Sequence, residues 1–317
     1  MSLQVNPVQG QILDVVKGSV ATVTLFLAFV YFPVLGMIPG FFAPVPGAYY
    51  TLKSGRTVGL LVLLASSALL LALSEPTLLL VYLLQAGVLS LALPEFLLRL
   101  KGGARSVVYS VAINLVVMLA AALLYSYGTG IDLQAKVTKG VQSSIAQTVQ
   151  LYQKAGVTGE ELKAMQGSMQ QAGELVLTIY PALVTVSLAL VACMNLSVLA
   201  RIAARVRLPL YVGDFKKYRN PEPLVWLLIA SGFGMLAPST PVYLVSLNVL
   251  IVVGALYSVQ GFAVVSHYFR RFQVPMFIRL LSALLLVLQP FMVLVVAVLG
   301  VFDLWGDFRS PKKQENL

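Results

Sequence analysis

The residues able to do chemistry in this chain are few, and most are amides. Gln85, Asn114, Asn195, Asn248, Gln260 and Gln289 each interrupt a long apolar run. With a single cysteine, Cys193, and a single histidine, His267, the sequence offers no disulfide framework and no site needing two histidines. No His-Glu-x-x-His, Gly-x-Ser-x-Gly or P-loop pattern occurs, and no paired acids sit at helical spacing within an apolar run. The chain therefore reads as a non-enzyme with no catalytic residues, no metal and no cofactor. His267, in "SHYFRRF" where an apolar run meets a basic loop, reads as a headgroup-level side chain. An amide inside an apolar run has two uses. It bonds a neighbouring helix, typically for about 0.6 and at most about 1–2 kcal/mol, or it faces a cavity and binds a ligand.

The elements that must position these residues follow from composition. Of the 317 residues 59% are hydrophobic and 11% charged, against about 25% charged in soluble domains. Mean hydropathy is +0.88. Val107–Tyr125, Leu175–Leu199, Val242–Val265 and Met276–Phe302 approach or exceed the roughly 20 apolar residues that cross a bilayer. This is the composition of an all-α polytopic membrane protein. The net charge of +10 is then a property of its loops, not a nucleic-acid surface. The apolar run after Lys17 is too long for a cleavable signal and lacks a small-residue cleavage site, so the first span is its own insertion signal.

Apolar segments fall near residues 18–35, 40–52, 57–73, 77–93, 106–125, 173–200, 223–237, 241–266 and 275–302. Fourteen of the 22 basic residues lie in four loops, around Lys53 and Arg56, Arg99 to Arg105, Arg201 to Arg219, and Arg270 to Arg279. The loops around Met37, Glu75 and Ser239 carry none. That alternation predicts nine crossings with a cytoplasmic N-terminus and an outer insert at 128–172. Eight result if Gln289-Pro290 turns the last segment into a re-entrant hairpin. A multi-pass place in the cytoplasmic membrane is the location this implies.

Three stretches depart from plain spans. In "GFFAPVPGAYYTL" the prolines 44 and 46, with Pro39 just before, predict a short broken crossing shielded by protein or lining a cavity. The 128–172 insert predicts a helical hairpin, with an apolar stripe at Val137, Val141, Ile145 and Val149 and a capping box at Thr158–Glu161 opening a helix kinked at Pro181. "VLARIAARVRLPLYVGDFKKYRNPEP" alternates apolar and basic residues. It predicts an interfacial amphipathic helix on anionic lipid, or a docking site for a protein partner, within a basic linker at 201–222.

"LYSVQGFAVVSHYF", "NPEPLVWLLIASG" and "LGVFDLWGDFR" resemble the C-terminal signature of the YybS-like bacterial membrane proteins, a family of unknown function. "PVPGAYYTLKSGRTVGLL" is similar to the corresponding part of the S components of energy-coupling-factor vitamin transporters, whose fold the rod-shape protein MreD shares. The resemblance implies a six-helix core over 1–200, followed by the 201–222 linker and a helical membrane extension over 223–317. Two departures stand out. The first span lacks the alanine-x-x-x-alanine patch that S components use against their coupling partner, and S components have no further spans.

An S-like core would place its pocket in the outer half of the third to sixth spans. Gln85 lies about eight residues below the outer end of its span, roughly 12 Å at about 1.5 Å per residue. Asn114 reaches a similar depth on the next span, and Glu75, Tyr125, Tyr127, Glu174 and Tyr180 would form the rim. Gln85 and Asn114 are expected to share a cavity beneath the hairpin, with Tyr180 at its mouth. Asp303, Asp307 and Arg309 fall within two helical turns, and Arg309 is expected to pair with one of the acids and anchor the helix end. The expected function is binding, and passage, of a small or amphiphilic molecule from the outer side. A scaffold for envelope or division assembly is the alternative. Expected partners are membrane lipid, that ligand and a protein at 201–222, with no nucleic acid.

Overall fold

The computed structural model describes residues 7–32, 35–100, 102–289, 291–306 and 308–309. They form helices and the turns between them: α1 Pro7–Tyr31, α2 Met37–Gly40, α3 Pro44–Ser54, α4 Arg56–Leu73, α5 Pro76–Tyr82, α6 Val88–Leu100, α7 Gly103–Thr129, α8 Leu133–Lys154, α9 Gly159–Val206, α10 Leu224–Gly234, α11 Thr240–Arg271, α12 Met276–Leu288 and α13 Phe291–Gly306. A π-helical stretch, Leu83–Gly87, joins α5 to α6. The chain is an all-α polytopic membrane protein.

Among the described residues six helices are long and apolar enough to cross a bilayer, and a seventh candidate is the pair Met276–Leu286 and Phe291–Gly306, bent by 110°. Among the described residues all nine expected apolar segments contain helix, but the second and seventh do not reach spanning length. The ninth is two helices at 110°, so the nine expected crossings become six, or seven with the bent pair. At about 1.5 Å per residue, the 11-residue helices α3 and α10 each extend roughly 16 Å, half of a hydrocarbon core of about 30 Å.

The break before α3 is written in its prolines and glycines. Three tight turns carry the chain from α2 into α3, with Phe42 N–H on Pro39 O, Ala43 on Gly40 O and Val45 on Phe42 O, at 2.9–3.0 Å. Pro44 then opens α3, where a missing N–H costs nothing because the first turn has no intrahelical acceptor for it.

One compact unit comprises residues 1–133 and 187–213. Its core is Val23, Phe26, Ala43, Leu70, Tyr82 and Ala86, with Phe26 and Tyr82 packed edge to face, ring centroids 5.4 Å apart. Charged side chains pair between helices. Lys53 donates to both oxygens of Asp14 at 2.8 and 3.0 Å, and Glu95 pairs with Arg56 at 2.6 Å and with Arg99.

The other unit comprises residues 134–186 and 214–317. Its central contact is α11 against α13, and it depends on two glycines. A Cβ on Gly261 would lie 1.9 Å from Val296 O, and one on Gly300 would lie 2.0 Å from Tyr257 O. Small residues let helix backbones touch inside a membrane, where lipid is as apolar as any leucine and hydrophobicity gives no reason to associate.

Of two expectations about the long helix, its continuation past Pro181 holds and an amphipathic helix through the basic stretch does not. Pro181 sits inside α9 without ending it. Asn248 of α11 grips the helix there: its Oδ1 accepts from Ala182 N–H and its Nδ2 donates to Thr178 O, both at 2.9 Å. Those groups are the donor and acceptor of one helical turn beside the proline, where the ring crowds the preceding turn and removes a neighbouring bond. In place of an amphipathic helix running through the basic stretch, α9 stops at Val206. Arg207 turns left-handed (φ 57°) and Leu208 N–H bonds back to Ala203 O at 2.9 Å, a helix-terminating motif. Leu208 precedes Pro209, a position that disfavours helix. The "RFQVP" stretch ends α11 the same way, with Gln273 at φ 49° and Val274 N–H on Phe269 O at 2.9 Å.

Candidate functional site

The densest polar constellation grows from the α11–α13 contact. Gln260 adjoins Gly261, and Asp303 lies one turn beyond Gly300, so the close approach sets the two side chains against each other. Gln260 Nε2 donates to Asp303 Oδ2 at 2.9 Å, and both residues are fully buried. Gln260 Oε1 accepts from the backbone N–H of Asn220 at 2.9 Å, while Asn220 Nδ2 donates to Leu256 O at 3.0 Å. The Tyr218 hydroxyl donates to Asn220 Oδ1 at 2.7 Å.

Arg309 closes this clasp. Its Nε donates to Asp303 Oδ1 at 3.3 Å, its Nη2 to Oδ2, and its Nη1 to the carbonyls of Lys216 and Tyr218, both at 2.8 Å. Arg219 adds a bond to Asp303 O at 3.2 Å and a guanidinium nitrogen 3.9 Å from Oδ2. A bare carboxylate at this depth would be costly. Two guanidinium groups and an amide make it tolerable. The arrangement positions the 214–220 segment against α11 and α13; its chemistry is structural. Arg309 thus pairs with Asp303 in a buried setting rather than at an exposed interface. Asp307 lies outside the described residues.

A second constellation sits at the broken segment. Asn195 of α9 donates from Nδ2 to Phe41 O and to Val191 O, both at 2.7 Å, and so serves a carbonyl in the turns between α2 and α3. A cavity of about 10 Å³ lies here, lined in part by Phe26, Phe41, Gln85 and Val191. That is room for one water and no more. Gln85 reaches it from the π-helical stretch, an irregularity frequent at functional sites.

The third is a groove between α8 and α9, about 710 Å³ in volume. Val141, Ile145, Val149 and Leu177 supply apolar lining, and five glutamines, 142, 150, 153, 166 and 170, supply the polar lining. The helices close on each other at Gly173, where a Cβ would lie 2.8 Å from Ile145 Cδ1. The stripe read from the sequence, apart from Val137, lines this groove.

The residues proposed from the sequence are dispersed. Gln85 lines the small cavity and Glu174 the groove, while Asn114 lines neither. Asn114 is fully buried, and neither of its amide atoms has a hydrogen-bond partner among the described residues. Glu75 caps the start of α5 without a side-chain bond to it. Tyr125, Tyr127 and Tyr180 are exposed at 36%, 94% and 43% and line neither space. Sequence reasoning named Asn195 and Gln260 as amides that bond a neighbouring helix or face a cavity, without their partners, and passed over Asn220. A glutamine directly before a helix glycine and an asparagine opening "NPEP" were the available signals. Among the described residues no three His, Cys, Asp or Glu side chains gather to hold a metal ion.

No curated protein and no solved structure matches the chain. A family model does, from residue 20 in α1 to residue 304, so that it takes in the broken segment, the hairpin and the clasp as far as Asp303. On that match the chain belongs to the family described as predicted membrane protein (DUF2232).

Proposed function

We propose that this membrane protein is a non-enzymatic binder of a small or amphiphilic molecule, taken up on the outer side in the groove between α8 and α9. The groove carries the reading: about 710 Å³ falls within the few hundred to a thousand typical of ligand sites, with an apolar lining and convergent polar groups. The likeness of "PVPGAYYTLKSGRTVGLL" to S components, and of the C-terminal motifs to YybS-like proteins, supports a binding role in a bacterial inner membrane. In this reading the N-terminus is cytoplasmic and residues 201–222 meet anionic lipid or a protein partner.

Native mass spectrometry of the purified chain tests it. A co-purified mass that disappears in Ala146→Trp, which fills the groove, supports binding; identical spectra for the two proteins overturn it. The alternative, a scaffold for envelope assembly, is favoured by the small cavity in the unit of residues 1–133 and 187–213, about 10 Å³. A scaffold would keep its protein partners in Ala146→Trp and lose no ligand.

A further inference from the structure

Resting on that binding reading, we infer that the groove's occupant is a membrane amphiphile with an uncharged head rich in hydroxyl or amide groups.

Three observations converge on this class. The first is charge. Glu174 is the one charged residue lining the groove, and no lysine or arginine lines it. An anionic head would lose its hydration there, find no cation and meet a carboxylate, which is discrimination by repulsion.

The second is the chemistry of the walls. A glutamine amide both donates and accepts, through two N–H groups and a carbonyl oxygen. Hydroxyls and amides do the same, so a row of glutamines satisfies such a head in almost any rotation.

The third is where the apolar side chains lie along the groove. Toward the hairpin turn at 155–158 the lining is Gln150, Gln153 and Gln166. Toward the other end Val141, Ile145 and Leu177 join Gln142 and Glu174, where Gly173 brings the helices together. Beyond Leu177 the same helix runs on into its apolar stretch, part of a candidate span. A lipid tail would therefore lie along these apolar side chains toward the bilayer, with its head lifted among the glutamines nearer the turn.

The test uses the full chain in phosphatidylcholine nanodiscs. The discs are doped with one of two photoactivatable lipids of equal chain length, a glucosyl diacylglycerol or a phosphatidylglycerol. Labelled peptides are mapped by mass spectrometry. The glucosyl probe should label residues 141–177 about tenfold more than the phosphatidylglycerol probe, and Ala146→Trp should abolish that labelling. Gln150→Lys with Gln166→Lys should shift the preference toward phosphatidylglycerol. Circular dichroism and thermal unfolding of each variant confirm that it folds.

Equal labelling by both probes, or preference for phosphatidylglycerol, with loss in Ala146→Trp, overturns the head assignment and leaves amphiphile binding standing. Labelling by neither probe above the Ala146→Trp level overturns both.

Discussion

The side-chain amide of Asn195 donates to the carbonyl of Phe41 at 2.7 Å, joining α9 to the turns between α2 and α3 from 154 positions away. A broken helix inside a bilayer survives when another part of the protein takes up its freed backbone groups. Asn195→Leu should therefore destabilise the protein by about 1–3 kcal/mol, the cost of a buried acceptor left without a donor. Ser197→Ala, two positions along on the exposed side of the same helix, should change it little. Thermal unfolding in detergent compares them, and equal midpoints would show that Asn195 does not hold the break.

Removing one partner of the clasp leaves a buried charge unanswered. Asp303→Leu and Arg309→Met should each cost about 3–5 kcal/mol. The double variant should cost clearly less than their sum, because it removes both charges together. Denaturation of the four proteins measures the coupling, and additive losses would mean that the pair acts independently.

Asn248 should be coupled to Pro181. Asn248→Leu removes the amide that serves Ala182 N–H and Thr178 O. With Pro181→Ala in place the helix regains its own bonding at that turn. The cost of Asn248→Leu should then fall by about 1 kcal/mol, on the scale of one net hydrogen bond. An unchanged cost in the Pro181→Ala background counts against the account.

Topology is checked by labelling. Single cysteines replacing Arg105 and Lys216 should be protected from an impermeant reagent in intact cells, while positions 150–165 should react. The reverse pattern would invert the orientation and place the α8–α9 groove inside the cell.

The sequence shows where helices lie far better than it shows what their polar residues do. Apolar length locates the helical segments, since it is a local quantity, but not which of them span, for two are short and the last is bent. The break before α3 is legible too, because Pro39, Pro44 and Pro46 restrict the backbone wherever they stand. The end of α9 was visible in Leu208-Pro209, yet the alternating pattern of "ARIAARVRLPL" suggested a longer helix. Partner choice is not local. Gln260 finds Asp303 through a contact 43 positions away, made possible by Gly261 and Gly300. Asn114, equal to Asn195 in depth and type, has no partner among the described residues. Nothing along the chain separates the two.

The clasp also orders the protein's biogenesis. Gln260 enters the membrane on α11 before the ribosome has made Asp303 or Arg309, and Asn220 waits with it. Until α13 arrives, the side-chain N–H group of Gln260 lacks its carboxylate partner beside an uncovered seam of glycine. A nascent chain halted between α11 and α13 therefore holds a polar group and a bare helix seam inside the bilayer. When α13 docks, the same groups are covered, so one helix insertion both closes the seam and satisfies the amide.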